Sequence, residues 1–280
     1  QALPAAGLTA DDELNRQLLL DRVSLALDGL AFDEERMPFI SGDGFYTTAD
    51  YAALNTPLDD EAAAVAWIAR LEALPAYYAR ETENMRRGIR TGMTQPTRTV
   101  ERAIADVRGQ IAQADDKSPL LAPFRNVPQS FPADRHAALE AQARNVLHAK
   151  VRPAQQSLLQ FLERDYLPAA RKDIGIGSVP QGKEYYAYLA RRHTSTAKTP
   201  AEIHALGESE VQRIRARMDQ AIAQTGFKGT FQEFLAAVRK DSRFYVGAAE
   251  YGEKASEIAK RADFAMPKYF GKLPRLSYGV

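Results

Sequence analysis

Cysteine is absent from all 280 residues, which removes disulfides, thiolate metal sites and a cysteine nucleophile while leaving the compartment open. Histidine is scarce. The four are His136, His148, His193 and His204, and none stands in an H-E-x-x-H arrangement, where two imidazoles one helical turn apart would meet one zinc. No metal site and no catalytic residue are therefore expected within this chain. No serine sits in a G-x-S-x-G elbow, and the glycines of I-G-I-G-S-V-P-Q-G follow no strand and complete no G-x-G-x-x-G. Excess charge of either sign is lacking too: 37 Lys and Arg nearly cancel 36 Asp and Glu, so no global field favours nucleic acid or an anionic membrane. No apolar run approaches the roughly 20 residues that cross a bilayer.

What remains is an ordinary globular balance, 45% hydrophobic and 26% charged, enough to bury a real core. Apolar residues recur mostly at helical spacing. Thr9 with Asp12 forms a capping-box pattern ahead of Leu14, Leu18, Val23 and Leu27, which predicts a first, docking helix ending near Gly29. From Asp33 to Asn55 the pattern is irregular around Pro38, Gly42 and Gly44, and Phe39, Phe45 and Tyr46 suggest an ordered loop pinned by rings. Asp59 or Asp60 opens a helix that reaches Arg90 across Pro75, as one long helix or a close pair. Thr97 or Thr99 starts another, after which four prolines between 119 and 132 break regularity. Two helices, Asp134 to Val151 and Pro153 to Tyr166, follow with Pro153 as their joint.

The firmest helix begins at Thr199, where a hydroxyl cap, Pro200 at the first helical position and Glu202 in the capping-box place coincide. Ile203, Gly207, Val211, Ile214, Met218 and Ile222 form one stripe on it, expected to face a core, and Gly226 ends it. A short helix after Thr230 and another over 248–262 precede an extended tail, Leu273 to Val280. The fold class is all-α, a bundle-like array of long amphipathic helices. One helical domain spans 1–280, with a seam near 115–133. The opening Q-A-L-P-A-A-G-L is small, apolar and uncharged, as the start of an exported protein is after signal cleavage, and a trimmed chain would look the same.

Tyr185, Tyr186 and Tyr188 stand with Glu184, Arg191 and Arg192. They either line a polar cleft or, for Tyr185 and Tyr188, share a core face with their hydroxyls reaching solvent. His193 either caps a helix end or faces the same cleft. His204 is either a half-buried helix residue with one hydrogen bond or a cleft group. Tyr185, Tyr186, His193 and His204 are the candidate cleft-lining residues.

The stretch G-K-E-Y-Y-A-Y-L-A-R-R-H-T-S-T-A-K-T-P-A-E-I-H-A-L-G (Gly182 to Gly207) resembles the bacterial family called domain of unknown function 885. M-R-R-G-I-R-T-G-M-T-Q-P (Met85 to Pro96), R-D-Y-L-P-A-A-R (Arg164 to Arg171) and L-P-R-L-S-Y-G-V (Leu273 to Val280) resemble it in the same order. That family is large, mostly helical, often exported, and similar to gluzincin-type zinc metallopeptidases, with an H-E-x-x-P-G-H segment well after L-P-R-L. The resemblance therefore implies the amino-terminal half of a periplasmic or secreted protein, whose partner is a carboxy-terminal half holding the zinc and whose ligand is a peptide. The segment itself is absent here, so no metal ligand is carried over. The alternative is a stand-alone helical binding or scaffold module.

Overall fold

A computed structural model describes residues 7–128, 131–245 and 247–276. The chain divides into two compact units, residues 1–200 and 201–280. The first holds eight helices: α1 (Ala10–Gly29), α2 (Phe45–Leu54), α3 (Glu61–Thr91), α4 (Thr97–Ala112), α5 (Ala133–Val146), α6 (Arg152–Phe161), a single turn α7 (Leu167–Ala169) and α8 (Gly182–Thr194). The second holds α9 (Pro200–Gln224), α10 (Phe231–Lys240) and α11 (Ala248–Ala265). The fold is all-α. Among the described residues the only paired strands are β1 (Phe39–Ile40) and β2 (Asp43–Gly44) of one short hairpin.

Helix starts follow local chemistry. Thr9 Oγ1 accepts from the Asp12 N–H at 3.2 Å while Asp12 reaches back to Thr9, completing the capping box. Asp60 Oδ1 accepts from the Ala63 N–H at 2.8 Å and opens α3, and Thr230 and Glu233 form the same reciprocal box on α10. Gly92, at φ +71, closes α3 in the left-handed conformation that glycine adopts without Cβ strain.

α3 is the spine of the first unit. It runs unbroken through Pro75, and Trp67, Ile68, Leu71 and Leu74 enter one core while Tyr78 and Met85 enter a second. The first core also takes Leu120, Leu121, Phe124 and Phe131, and the Trp67 indole donates to the Leu120 carbonyl at 2.9 Å. The seam expected near 115–133 falls on this packed segment: proline breaks its helical regularity, and its leucines and phenylalanines are buried against α3 and α5. Asp115 fixes the start of this segment by accepting from Arg144 (2.9 Å), His148 (2.9 Å) and Arg152 (3.0 Å), and His148 foremost holds its carboxyl below the usual range.

Two expectations are corrected. Residues 45–54 form a helix rather than a loop, because the Gly44 N–H is capped by Asp43 and Thr47 side chains, although Phe39, Phe45 and Tyr46 are buried as expected. Nor does Pro153 interrupt the run from α5 to α7. A proline ring collides with the carbonyl four residues back. For Pro153 and Pro168 those carbonyls belong to Ala149 and Arg164, and both lie in π-turns, Leu147–Val151 and Leu162–Tyr166, whose wider winding displaces them.

In the second unit the long helix begins at Pro200, directly after Thr199, and ends just before Gly226 at φ +75. Its stripe does not face a core. α9 buries none of its residues, with Val211 67%, Ile214 48% and Met218 40% exposed. The periodicity is real, but among the described residues of the second unit it builds no buried core. The ring contacts of this unit are the Arg215 guanidinium over the Phe231 ring at 3.9 Å and Phe227 against Phe234. The tail expected to be extended falls partly on residues 277–280, outside the described residues; Leu273 and Leu276 are irregular and exposed.

Candidate functional site

One face of α1 carries Arg22, Leu25, Ala26 and Gly29, at the i, i+3, i+4, i+7 spacing of a single helical stripe. Past Gly29 the chain makes a 3-10 turn, Leu30–Phe32, and reverses at Asp33, which holds φ 47 and ψ 60. That left-handed conformation is uncommon for a residue with a side chain. It is held by α3: the Arg87 guanidinium donates to both Asp33 carboxylate oxygens, at 3.1 and 2.8 Å. Arg36 ties the same turn from inside, donating to the Asp33 carbonyl at 3.2 Å and the Phe32 carbonyl at 2.8 Å. The reversal turns Glu34 toward α8.

α8 supplies the opposing wall. Tyr185 and Tyr188 pack on Phe32 with ring centroids 5.1 and 5.2 Å away. The Tyr185 hydroxyl donates to Glu34 at 2.9 Å, and Arg192 Nη1 reaches both Glu34 oxygens at 2.9 and 3.2 Å. Burial, with the bond to Glu34 second, pushes the Tyr185 phenol upward, so it remains a donor. Tyr188 lies across α1 and donates to the Leu25 carbonyl at 3.1 Å. It can do so only because position 29 has no side chain: a Cβ there would sit 2.9 Å from Tyr188 Cζ. These elements enclose an open cleft of about 700 Å³, with Leu25, Ala26, Leu30 and Tyr188 as its less polar lining. Its charged lining is Arg22 and Arg192 against Asp33, Glu34 and Glu35.

None of the four sequence candidates lines this cleft. Tyr185 is buried behind it and acts through Glu34. Tyr186, on the other side of α8, is 51% exposed. His193 is exposed at the end of α8. His204 belongs to the second unit, 3.4 Å from Glu208 beside a shallow depression on α9. The residues that do line it from α8 are Tyr188 and Arg192, members of the same cluster. Glu34 and Asp33 lie about 150 residues earlier and carry no sequence motif.

Two of the motifs that carry the family resemblance meet each other elsewhere in the first unit. The Gln95 N–H donates to the Tyr166 hydroxyl at 3.0 Å, Arg171 Nε donates to the Thr94 carbonyl at 3.1 Å, and Pro96 pairs with Arg171 in an isolated parallel bridge. Gly88 belongs to this packing: a Cβ there would stand 2.6 Å from the Met93 carbonyl and 2.7 Å from that of Arg36. These motifs are a structural lock.

Zinc does not fit the side chains present. His136 is engaged with the Phe124 carbonyl at 2.8 Å and His148 with Asp115, and among the described residues no three of His, Asp or Glu gather closely enough to hold a metal. Among the same residues no helix is long and apolar enough to cross a membrane.

The chain belongs to the family described as "Bacterial protein of unknown function (DUF885)", whose model matches residues 1–280. Among solved structures it is similar to one titled "The crystal structure of the putative lipoprotein from Colwellia psychrerythraea", with a TM-score of 0.73 and 24% identity over 80% of this chain. The similarity establishes a shared fold. This chain spans 40% of the length of that one. No curated protein matches the sequence.

Proposed function

We propose that this chain is the helical, non-catalytic half of an exported zinc-dependent peptidase, and that the cleft between α1 and α8 lies along its peptide path. The observation that carries this reading is the cleft itself. The wall contributed by Tyr188 and Arg192 comes from the stretch most specific to the family, yet that wall gathers no metal ligands and no nucleophile. A surface of that kind binds and orients; the hydrolytic zinc, its ligands and the general base then belong to a carboxy-terminal half bearing the H-E-x-x-P-G-H segment. The shared fold with a chain about twice as long agrees with such a division, and the word lipoprotein in that neighbour's title agrees with export.

The gene beyond the codon for Val280 supplies the test. The longer product is expected to bind one zinc and to hydrolyse peptides, and Arg192→Ala with Tyr188→Ala is expected to raise KM while leaving zinc content unchanged. A stop codon at that point, or a product with neither zinc nor hydrolysis, would favour the stand-alone binding module.

A further inference from the structure

The inner face of α2 carries two polar groups that packing serves poorly. The Tyr46 hydroxyl is buried with no hydrogen-bond partner among the described residues, and burial pushes it up to about 12. One turn on, Asp50 accepts from the uncharged amide of Gln110, on α4, at 2.9 Å and joins no ion pair among the described residues. Gln110 also donates to the Tyr46 carbonyl at 2.9 Å and accepts from Gln155 of α6 at 3.5 Å, and Gln155 in turn bonds Tyr78 of α3. One chain of side chains thus ties α2 to three other helices, with a carboxyl at its α2 end. The Tyr78 phenol is pushed upward by burial first and by the Asp50 charge second.

Charges on the surrounding elements are engaged elsewhere. Asp43 of the hairpin accepts from the Gly44 N–H and the Thr47 hydroxyl, Asp106 of α4 pairs with Arg102 at 3.1 Å, Arg80 of α3 lies over the Tyr77 ring at 5.1 Å, and Arg125 donates to the Ser118 carbonyl. Arg70 of α3 stands exposed at the rim of a pocket of about 160 Å³ between α2 and α3. Across that pocket Thr48, Ala49 and Ala52 of α2 face Trp67, Leu71 and Tyr77 of α3, and Trp67 is the single tryptophan of the chain.

We propose that α2 is a proton-operated latch, held against α3 and α4 while the Asp50 carboxyl is protonated and loosened when it ionises. Protonated, the acid accepts from Gln110 without carrying charge. Ionised, it places a charge at a helix interface beside an uncharged amide, and hydration then favours the loosened state. The sign follows from burial, which raises the folded pKa from 3.8 to about 6. The docking contribution is therefore full below pH 3.8 and is lost as pH rises through 6. Phe45 and Tyr46 are buried and anchor the first turn, so the part that loosens is residues 48–54. The latch is independent of the peptide reading.

Acrylamide quenching of Trp67 fluorescence in the 280-residue chain tests it between pH 5 and 8. The quenching constant is expected to rise about twofold or more, with a midpoint near pH 6. It should stay flat in Asp50→Asn, which keeps an oxygen acceptor for Gln110 and cannot ionise. Hydrogen exchange compared between the two proteins at one pH gives a second reading: amides of residues 48–54 should exchange alike at pH 5 and about tenfold faster in the wild type at pH 7.5. Circular dichroism should show constant helicity across the range, which separates local loosening from unfolding. Flat quenching in the wild type, an equal rise in Asp50→Asn, as an origin in His136 beside Phe131 would give, equal exchange at pH 7.5, or loss of overall helicity would overturn the inference.

Discussion

Asp50 shows what a single carboxyl does when packing takes it out of water. It sits on α2 with Gln110 donating to it at 2.9 Å, and Gln110 also reaches the Tyr46 carbonyl at 2.9 Å. Burial pushes the carboxyl up to about 6, with the Gln110 bond opposing. A folded pKa above the unfolded value of 3.8 means that the native state favours the protonated form. Its contribution to stability is complete below pH 3.8 and is lost as pH rises through 6, leaving a charged, partly desolvated group at neutrality. Asp50→Asn keeps an acceptor for Gln110 and cannot ionise. It should therefore stabilise the chain by up to about 3 kcal/mol at pH 7.5 and by progressively less toward pH 4. Urea melts of both proteins across that range would show it, and a gain independent of pH would mean that Asp50 is already solvated.

Among the elements, α9 separates periodicity from burial. A stripe at steps of three and four guarantees that its residues share one face of a helix, but only a partner makes that face a core. Ile214 is 48% exposed and Leu158, on α6, is 2% exposed. Ile214→Ala should accordingly cost less than about 1 kcal/mol, and Leu158→Ala about 2–5 kcal/mol. Denaturant melts of the two variants decide between them, and equal losses would show that α9 buries its stripe after all. The π-turns make a related point: Pro153 reads as a break in the sequence, yet one widened turn carries the helix past it.

At the scale of the whole molecule, all three apolar clusters lie within residues 1–200, while in the second unit Ala259 is the one buried residue among those described. The segment joining them, Ser195 to Thr199, is exposed and irregular, and Ser195 holds φ 55. Exposed irregular backbone is where proteases cut first. Brief trypsin treatment is expected to cut after Lys198 early and to leave residues 1–198 as a fragment that still melts cooperatively. Mass spectrometry identifies the cut and thermal circular dichroism follows the fragment; a fragment that loses its helicity would show that the first unit depends on the second.

The helices were legible in the sequence because their signals are local. Thr9 with Asp12, Asp60, Thr230 and Gly226 each act within a turn of where they stand, so residue type and spacing suffice. The all-α class followed, and so did the family, carried by contiguous motifs. The cleft was not legible, because the residues that build it are far apart in the chain: Glu34 and Tyr185 are 151 residues apart. Sequence placed Tyr185, Tyr186 and Tyr188 together but could not tell which would reach α1, since that depends on the absent side chain at Gly29 and on the reversal at Asp33. Local chemistry determined where helices begin and end; which of their faces are covered, and which charges are left unpaired between them, was decided only when distant segments packed.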